Sequence, residues 1–129
     1  MFLQKKFIGE VQIYEDYQEF VFFRYVLNNK PKMLMTCHMF ENEIHINDIK
    51  PYHKNKRNKY VNKGYGSKLM SALLDYAKKN GIAEITGDLS IVDLDHKKRL
   101  HHFYQKFGFK ITTFAELNGC YYGCISKNV

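Results

Sequence analysis

The chain has 129 residues, 45% of them apolar and 16% aromatic, with ten Tyr and ten Phe, enough for one domain around a single core. Its net charge is +7 and its sequence pI about 9.3, which points to an anionic partner: a nucleotide cofactor, an acidic substrate or nucleic acid. Three cysteines, Cys37, Cys120 and Cys124, are too few and too irregular for a disulfide framework and read as reduced thiols.

Met1 to Lys6 lacks the apolar stretch of a signal peptide, and no run reaches membrane-spanning length. The expected location is the cytoplasm, without a membrane partner. Phe7 to Tyr14 alternates loosely and is rich in strand formers, predicting a first strand. Glu15-Asp16-Tyr17 predicts a turn and Glu19 to Leu27 a second strand, with a short helix from about Asp16 as the alternative. Asn28-Asn29-Lys30-Pro31 is a turn signal. Met33 to Phe40 predicts a third strand, Glu41-Asn42 a turn and Ile44 to Ile49 a fourth strand, so this half reads as an antiparallel meander.

Pro51 to Tyr60 is a polar, basic loop with nothing to bury. The helix predicted over Gly64 to Lys79 carries Leu69, Met70, Leu73, Leu74 and Ala77 at the spacing of one buried face, and Asn80-Gly81 stops it. Ala83 to Leu89 predicts a fifth strand. Asp93 or Asp95 can cap a second helix, whose stripe is Leu100, Phe103, Tyr104 and Phe107 and whose end is Gly108. Phe109 to Phe114 and Tyr121 to Ser126 predict strands flanking a turn at Asn118-Gly119. The order β-β-β-β-α-β-α-β-β, without repeat or linker, predicts a mixed α/β (α+β) sheet with two main helices, in one domain over residues 1–129.

The most informative stretch is Val61-Asn62-Lys63-Gly64-Tyr65-Gly66-Ser67-Lys68-Leu69-Met70, a glycine-punctuated loop opening a helix. From Lys50 through Lys68 there are seven Lys/Arg, and no carboxylate occurs between Asp48 and Asp75. Backbone amides, a helix N-terminus and concentrated positive charge describe a site for an anion, most simply a phosphate. The spacing is not that of a Walker A loop. A dinucleotide fingerprint would need a third glycine where Leu69 stands.

The same ten residues resemble motif A of the GNAT superfamily of N-acetyltransferases, whose loop reads Arg/Gln-x-x-Gly-x-Gly/Ala. Leu100-His101-His102-Phe103-Tyr104-Gln105-Lys106-Phe107-Gly108-Phe109 resembles that family's later helix ending, Leu/Phe-Tyr-x-Lys-x-Gly-Phe. Together the resemblance covers roughly residues 43–112. It implies a mostly antiparallel sheet splayed between strands 4 and 5, with acetyl-CoA in the split. The loop from Val61 through Asn62, Lys63, Gly64, Tyr65 and Gly66 to Ser67 would hold the pyrophosphate. Backbone at Asn47, Asp48 and Ile49 would pair with the pantetheine arm, and Lys97 stands where the family often has an Asn near the cofactor. Val61 replaces the family's opening Arg/Gln, the Pro51–Tyr60 loop is longer than usual, and no pair of helices is predicted in the N-terminal region.

Under this resemblance the reaction is direct transfer of an acetyl group from acetyl-CoA to an amine in a ternary complex. A neutral amine must attack, so a base is needed, and His45, Asp48 and Glu43 are the candidates nearest the fourth strand. Tyr104 stands where the family places its general acid. Backbone N–H groups where the strands part would stabilise the oxyanion. The acceptor would be a small-molecule or peptide amine, and the cationic entrance is more comfortable with an anionic one. The chain could act as a monomer or a homodimer.

Two other readings fit parts of the sequence. Lys54, Lys56, Arg57, Lys59 and Tyr60 could form a basic-aromatic strip for nucleic acid, and a catalytically degenerate relative could bind CoA without turnover. No metal is expected. His101 and His102 point apart on a helix, and neither His96 nor the Cys120/Cys124 pair supplies ligand spacing.

Overall fold

The computed structural model describes residues 4–8, 10–16, 19–53 and 64–129. Eight strands form one sheet: β1 (Gln4–Ile8), β2 (Val11–Glu15), β3 (Phe20–Leu27), β4 (Lys30–Met39), β5 (Glu43–Pro51), β6 (Glu84–Ser90), β7 (Lys110–Asn118) and β8 (Tyr121–Asn128). Helix α1 (Tyr65–Lys79) connects β5 to β6; a 3-10 helix (Ile91–His96) and α2 (Lys97–Lys106) connect β6 to β7. The strand order is β1-β2-β3-β4-β5-β6-β8-β7, and β5 with β6 is the parallel pair in an otherwise antiparallel sheet.

The turn residues act as their chemistry requires. Asn28 and Asn29 take φ of 53° and 63°, the left-handed pair that joins Leu27 to Lys30 in a tight hairpin. Asp16 accepts the Phe20 amide through Oδ1 at 2.9 Å; the expected turn or short helix falls largely on Tyr17 and Gln18, which lie outside the described residues. Phe7 to Tyr14 is not one strand. Ile8 pairs with Val11, so the chain reverses there into two strands whose apolar residues blurred together in sequence.

Helix α1 buries Leu69, Met70, Leu73, Tyr76 and Ala77 against Val21, Phe23, Tyr25, Met35 and Cys37 of β3 and β4. Each fully buried Leu or Ile contributes about 1.5–3 kcal/mol. Tyr104 of α2 joins the same core, with Leu100, Phe103 and Phe107 packed half-buried beside it. Both helices therefore cover one face of the sheet. Register places Phe20, Phe22 and Arg24, with His38, Thr36, His45, Thr86 and Asp88, on the other face, which no helix covers among the described residues.

Neither Asp93 nor Asp95 caps α2. Ser90 caps the 3-10 helix, its Oγ accepting from the Val92 amide at 3.4 Å. His96 is the N-cap of α2 and makes no side-chain cap bond, its ring lying 3.4 Å from Asp93 and 2.8 Å from Asp95. The β6–α2 link is tightened into a 3-10 turn, which moves both aspartates upstream of the α-helix proper.

Candidate active site

The site begins with a ladder that stops early. β5 and β6 pair only over Glu43↔Glu84, Ile44↔Ile85, His45↔Thr86 and Ile46↔Gly87. Beyond that point β5 follows β4 to Pro51, while β6 follows β8 to Ser90. A bulge marks the parting: Cys37 faces Ile46 but Thr36 faces Asp48, so Asn47 is the extra residue. Past Ile46 the edge of β5 that faces β6 carries no ladder, which leaves the backbone of Asn47, Asp48 and Ile49 free of β6. At the last rung a side chain on Gly87 would put its Cβ 3.0 Å from the Ile125 side chain, which would have to shift to admit it.

The connection from β5 to β6 carries the start of α1. Gly64 is the N-cap with φ 78°, a conformation that suits glycine, and no side chain caps the first turn. That turn contains no acidic residue. Gly66 is already helical, and a Cβ there would meet only the Phe103 ring at 3.5 Å, an ordinary contact. Neither backbone angle nor packing demands a glycine, although glycine costs a helix about 1 kcal/mol relative to alanine. Lys106 donates to Ser67 Oγ at 3.0 Å and so brings a cation from the end of α2 to the same helix terminus. Tyr65 stacks on Tyr25 with ring centroids 4.9 Å apart, which leaves its main chain rather than its side chain for a ligand. Val61, Asn62 and Lys63 lie outside the described residues, as do Lys54, Lys56, Arg57, Lys59 and Tyr60.

Tyr104 is 7% exposed and packs edge-on to Phe109. Its hydroxyl makes no hydrogen bond among the described residues. Burial pushes its pKa well above the usual phenol value, and Asp93, Cys37, Asp48 and Tyr122 add to the shift, so it is a neutral phenol at physiological pH. Asp48 pairs in register with Thr36 and so points to the open face, where it lies 3.6 Å from Lys50. Tyr104 and Asp48 thus approach the parting of the strands from opposite faces.

His45 also faces away from Ile44 and Ile46, as alternation requires, but it is not free. Nδ1 lies 2.8 Å from Thr86 Oγ1 and Nε2 lies 3.1 Å from Asp88 Oδ2. Thr86 in turn donates to Glu43 Oε2 at 2.6 Å. Lys97 places its ammonium 5.4 Å from the Tyr122 ring centroid, and Tyr122 shares a 2.9 Å hydrogen bond with His101 Nε2. Burial and the nearby Lys97 lower the His101 pKa, so that ring is held neutral at physiological pH. Sequence reasoning missed Thr86, Asp88, Lys106 and the Tyr122–His101 pair, because each acts through a partner far away in the chain. Lys106 alone had a visible signal, as the Lys of the later helix motif.

Among the described residues, no group of three His, Cys, Asp or Glu side chains is placed to hold a metal, and no helix is long and apolar enough to cross a membrane. A hollow of about 310 Å³ lined by Glu19, Met39, Phe40, Glu41, Asn80 and Ile82 lies by the β4–β5 turn, at the other end of β5 from the parting.

The parallel pair parts at a bulge, and the connection between its strands carries an uncapped, glycine-led helix. Residues 57–109 match the model of the Acetyltransferase (GNAT) family. That segment is similar to the family, and the fold of the described residues is the GNAT fold. It is similar to the PaiA N-acetyltransferase from Thermoplasma acidophilum, solved in complex with coenzyme A, with a TM-score of 0.67 and 17% identity over 86% of this chain and 62% of that one. The ribosomal-protein-S18-alanine N-acetyltransferase from Escherichia coli gives a TM-score of 0.67 at 15% identity, over 88% of this chain and 72% of that one. An acetyltransferase from Bacillus cereus ATCC 14579 gives 0.66 at 20% identity, over 86% and 74%. In sequence, the chain is 40% identical over 73 residues to the uncharacterized protein YocC of Bacillus subtilis (strain 168), covering 55% of this chain and 38% of that protein. The chain therefore spans well under two thirds of YocC and slightly under two thirds of the Thermoplasma structure.

Proposed function

We propose that residues 1–129 act as one acyltransferase domain that moves an acetyl group from acetyl-CoA to an amine. The observation that carries this reading is the four-pair parallel ladder, which ends beside a bulge and parts β5 from β6. The residues fit the cofactor: amides at Gly64, Tyr65, Gly66 and Ser67, with Lys106 behind them, suit the pyrophosphate. Val61, Asn62 and Lys63 belong to the same loop, and Lys97 stays with this group as a more distant contributor. The free edge at Asn47, Asp48 and Ile49 suits an amide-bearing pantetheine arm. When bound, acetyl-CoA supplies a thioester whose sulfur is a good leaving group.

Asp48 serves as the base, directly or through water, since the neutral form of the amine is the nucleophile. His45 could do so only by releasing Thr86 or Asp88. Amides at the bulge around Asn47 donate to the oxygen that gains charge. Tyr104 keeps its proton because burial disfavours the phenolate, and it donates a hydrogen bond to the departing sulfur. A thiol titrates near 8.5, below a buried phenol, so stabilisation by that hydrogen bond fits better than complete proton transfer. The acceptor is a small-molecule or peptide amine entering from the open face. A cytoplasmic monomer or homodimer completes the reading.

Calorimetric titration with acetyl-CoA, CoA and a short RNA at two salt concentrations tests it. Saturable micromolar binding of acetyl-CoA is expected, and Gly66→Asp should weaken it by about 100-fold by placing a carboxylate against the phosphates. RNA binding that falls with salt, without binding of either CoA species, would favour the nucleic-acid reading.

A further inference from the structure

Among the described residues the four-pair β5–β6 ladder is the sole sheet connection between β1–β5 and β6–β8, and it is shorter than the seven-pair ladders on either side of it. Its core side is sealed by Ile44, Ile46, Ile85 and the missing side chain of Gly87. Its open side carries Glu43 directly opposite Glu84, a like-charge pair that would push the strands apart. Onto this weak joint is laid a zigzag that crosses between the strands three times. Glu43 of β5 accepts from Thr86 of β6, Thr86 bonds His45 of β5, and His45 bonds Asp88 of β6.

The donors can be assigned. The single Thr86 proton goes to Glu43, so Thr86 Oγ1 accepts from His45 Nδ1–H, and the Asp88 carboxylate accepts from Nε2–H. The His45 ring thus links Thr86, which bonds Glu43, to Asp88. Asp88 lies one residue past the last ladder pair, so the chain of bonds reaches into the start of the gap.

We propose that Glu43, Thr86, His45 and Asp88 form a clasp that fixes where the sheet opens and holds β6 at the spacing the cofactor needs. The four are positioning residues: they set the width of the split and do not touch the reacting atoms. His45 is thereby a structural donor and not the base. This rests on the split being the cofactor slot.

The test uses the full chain with Thr86→Val, Asp88→Leu and the conservative Asp88→Asn, which keeps an acceptor for His45. Amide hydrogen exchange is read at Ile44 to Ile46 and Ile85 to Gly87, with Leu69 to Leu73 of α1 as the internal reference. Thr86→Val and Asp88→Leu should each speed ladder exchange by about ten-fold while leaving α1 unchanged. The same variants should weaken acetyl-CoA binding by about ten-fold, with Asp88→Asn close to wild type. Wild-type ladder exchange in Thr86→Val would overturn the clasp. Loosened exchange with unchanged acetyl-CoA affinity would overturn its link to the split. A His45→Asn variant that loses kcat but keeps cofactor affinity and ladder protection would make His45 the base instead. If the wild-type chain binds no acetyl-CoA, the proposed function falls and the clasp loses its purpose; the exchange rates still decide whether it holds the ladder.

Discussion

The two faces of the sheet are built from alternate residues of the same strands, yet they follow different rules. On β3, Val21 and Phe23 are fully buried under α1, while their neighbours Phe20, Phe22 and Arg24 are half-exposed on the other face. The covered face is apolar packing with a few tyrosines. The open face is a set of polar and aromatic arrangements: Arg24 bonds Gln12 at 3.0 Å and lies over Tyr14, Phe20 stacks on His38 at 4.7 Å, and the His45 network spans β5 and β6. The difference separates the residues that make the chain fold from those that, under the proposed function, would meet an acceptor. Tyr104, on the covered face, and Asp48, on the open one, would bring the two together at the parting of the strands.

The largest expected effect contrasts neighbours on one strand. Phe23 is fully buried and packs edge-on to Tyr76 at 5.5 Å, so Phe23→Ala should cost about 3–5 kcal/mol in denaturant unfolding. Phe22→Ala, one residue away on the open face, should cost under about 1 kcal/mol. Equal losses would mean that something covers the open face after all.

Alkali should attack the covered face selectively. Burial raises the pKa values of Tyr76, Tyr104 and Cys37, and pushes Tyr25 up to about 12. In the unfolded chain these groups lose their protons near 9 to 10, while the folded chain still holds them. The unfolded state then binds fewer protons, so stability falls as pH rises, beginning near the unfolded values and continuing toward the raised folded ones. Each such group contributes a slope of about 1.4 kcal/mol per pH unit within its window. Stability measured from pH 8 to 11 should be level at first and then drop, and Tyr76→Phe should flatten the drop.

Local patterns were legible in the sequence, and non-local pairings were not. The stripe Leu69, Met70, Leu73 and Ala77 announced α1, and Ile44-His45-Ile46 showed which way His45 points. The splay between the fourth and fifth predicted strands came from the resemblance, and the observed parting of β5 from β6 agrees with it. By contrast, the bulge at Asn47 depends on how β4 pairs, and the partners of His45 lie 41 and 43 residues away. The tightened turn before α2 depends on where the Ile91 amide meets Cys120 O, at 2.9 Å, which no local motif records.

Tyr104 is where the two-face distinction is most exposed to test, because it sits in the core and is also assigned to the chemistry. A core tyrosine whose hydroxyl has no partner among the described residues gains little from it, so Tyr104→Phe should leave unfolding stability within about 0.5 kcal/mol or raise it. If the hydroxyl serves the leaving sulfur, the same substitution should lower kcat by about ten-fold or more while the acetyl-CoA affinity stays at the wild-type value. Loss of stability without loss of turnover would return Tyr104 to the core. Loss of turnover without loss of stability would mean that the buried hydroxyl is kept for the reaction and that the covered face supplies one half of the site.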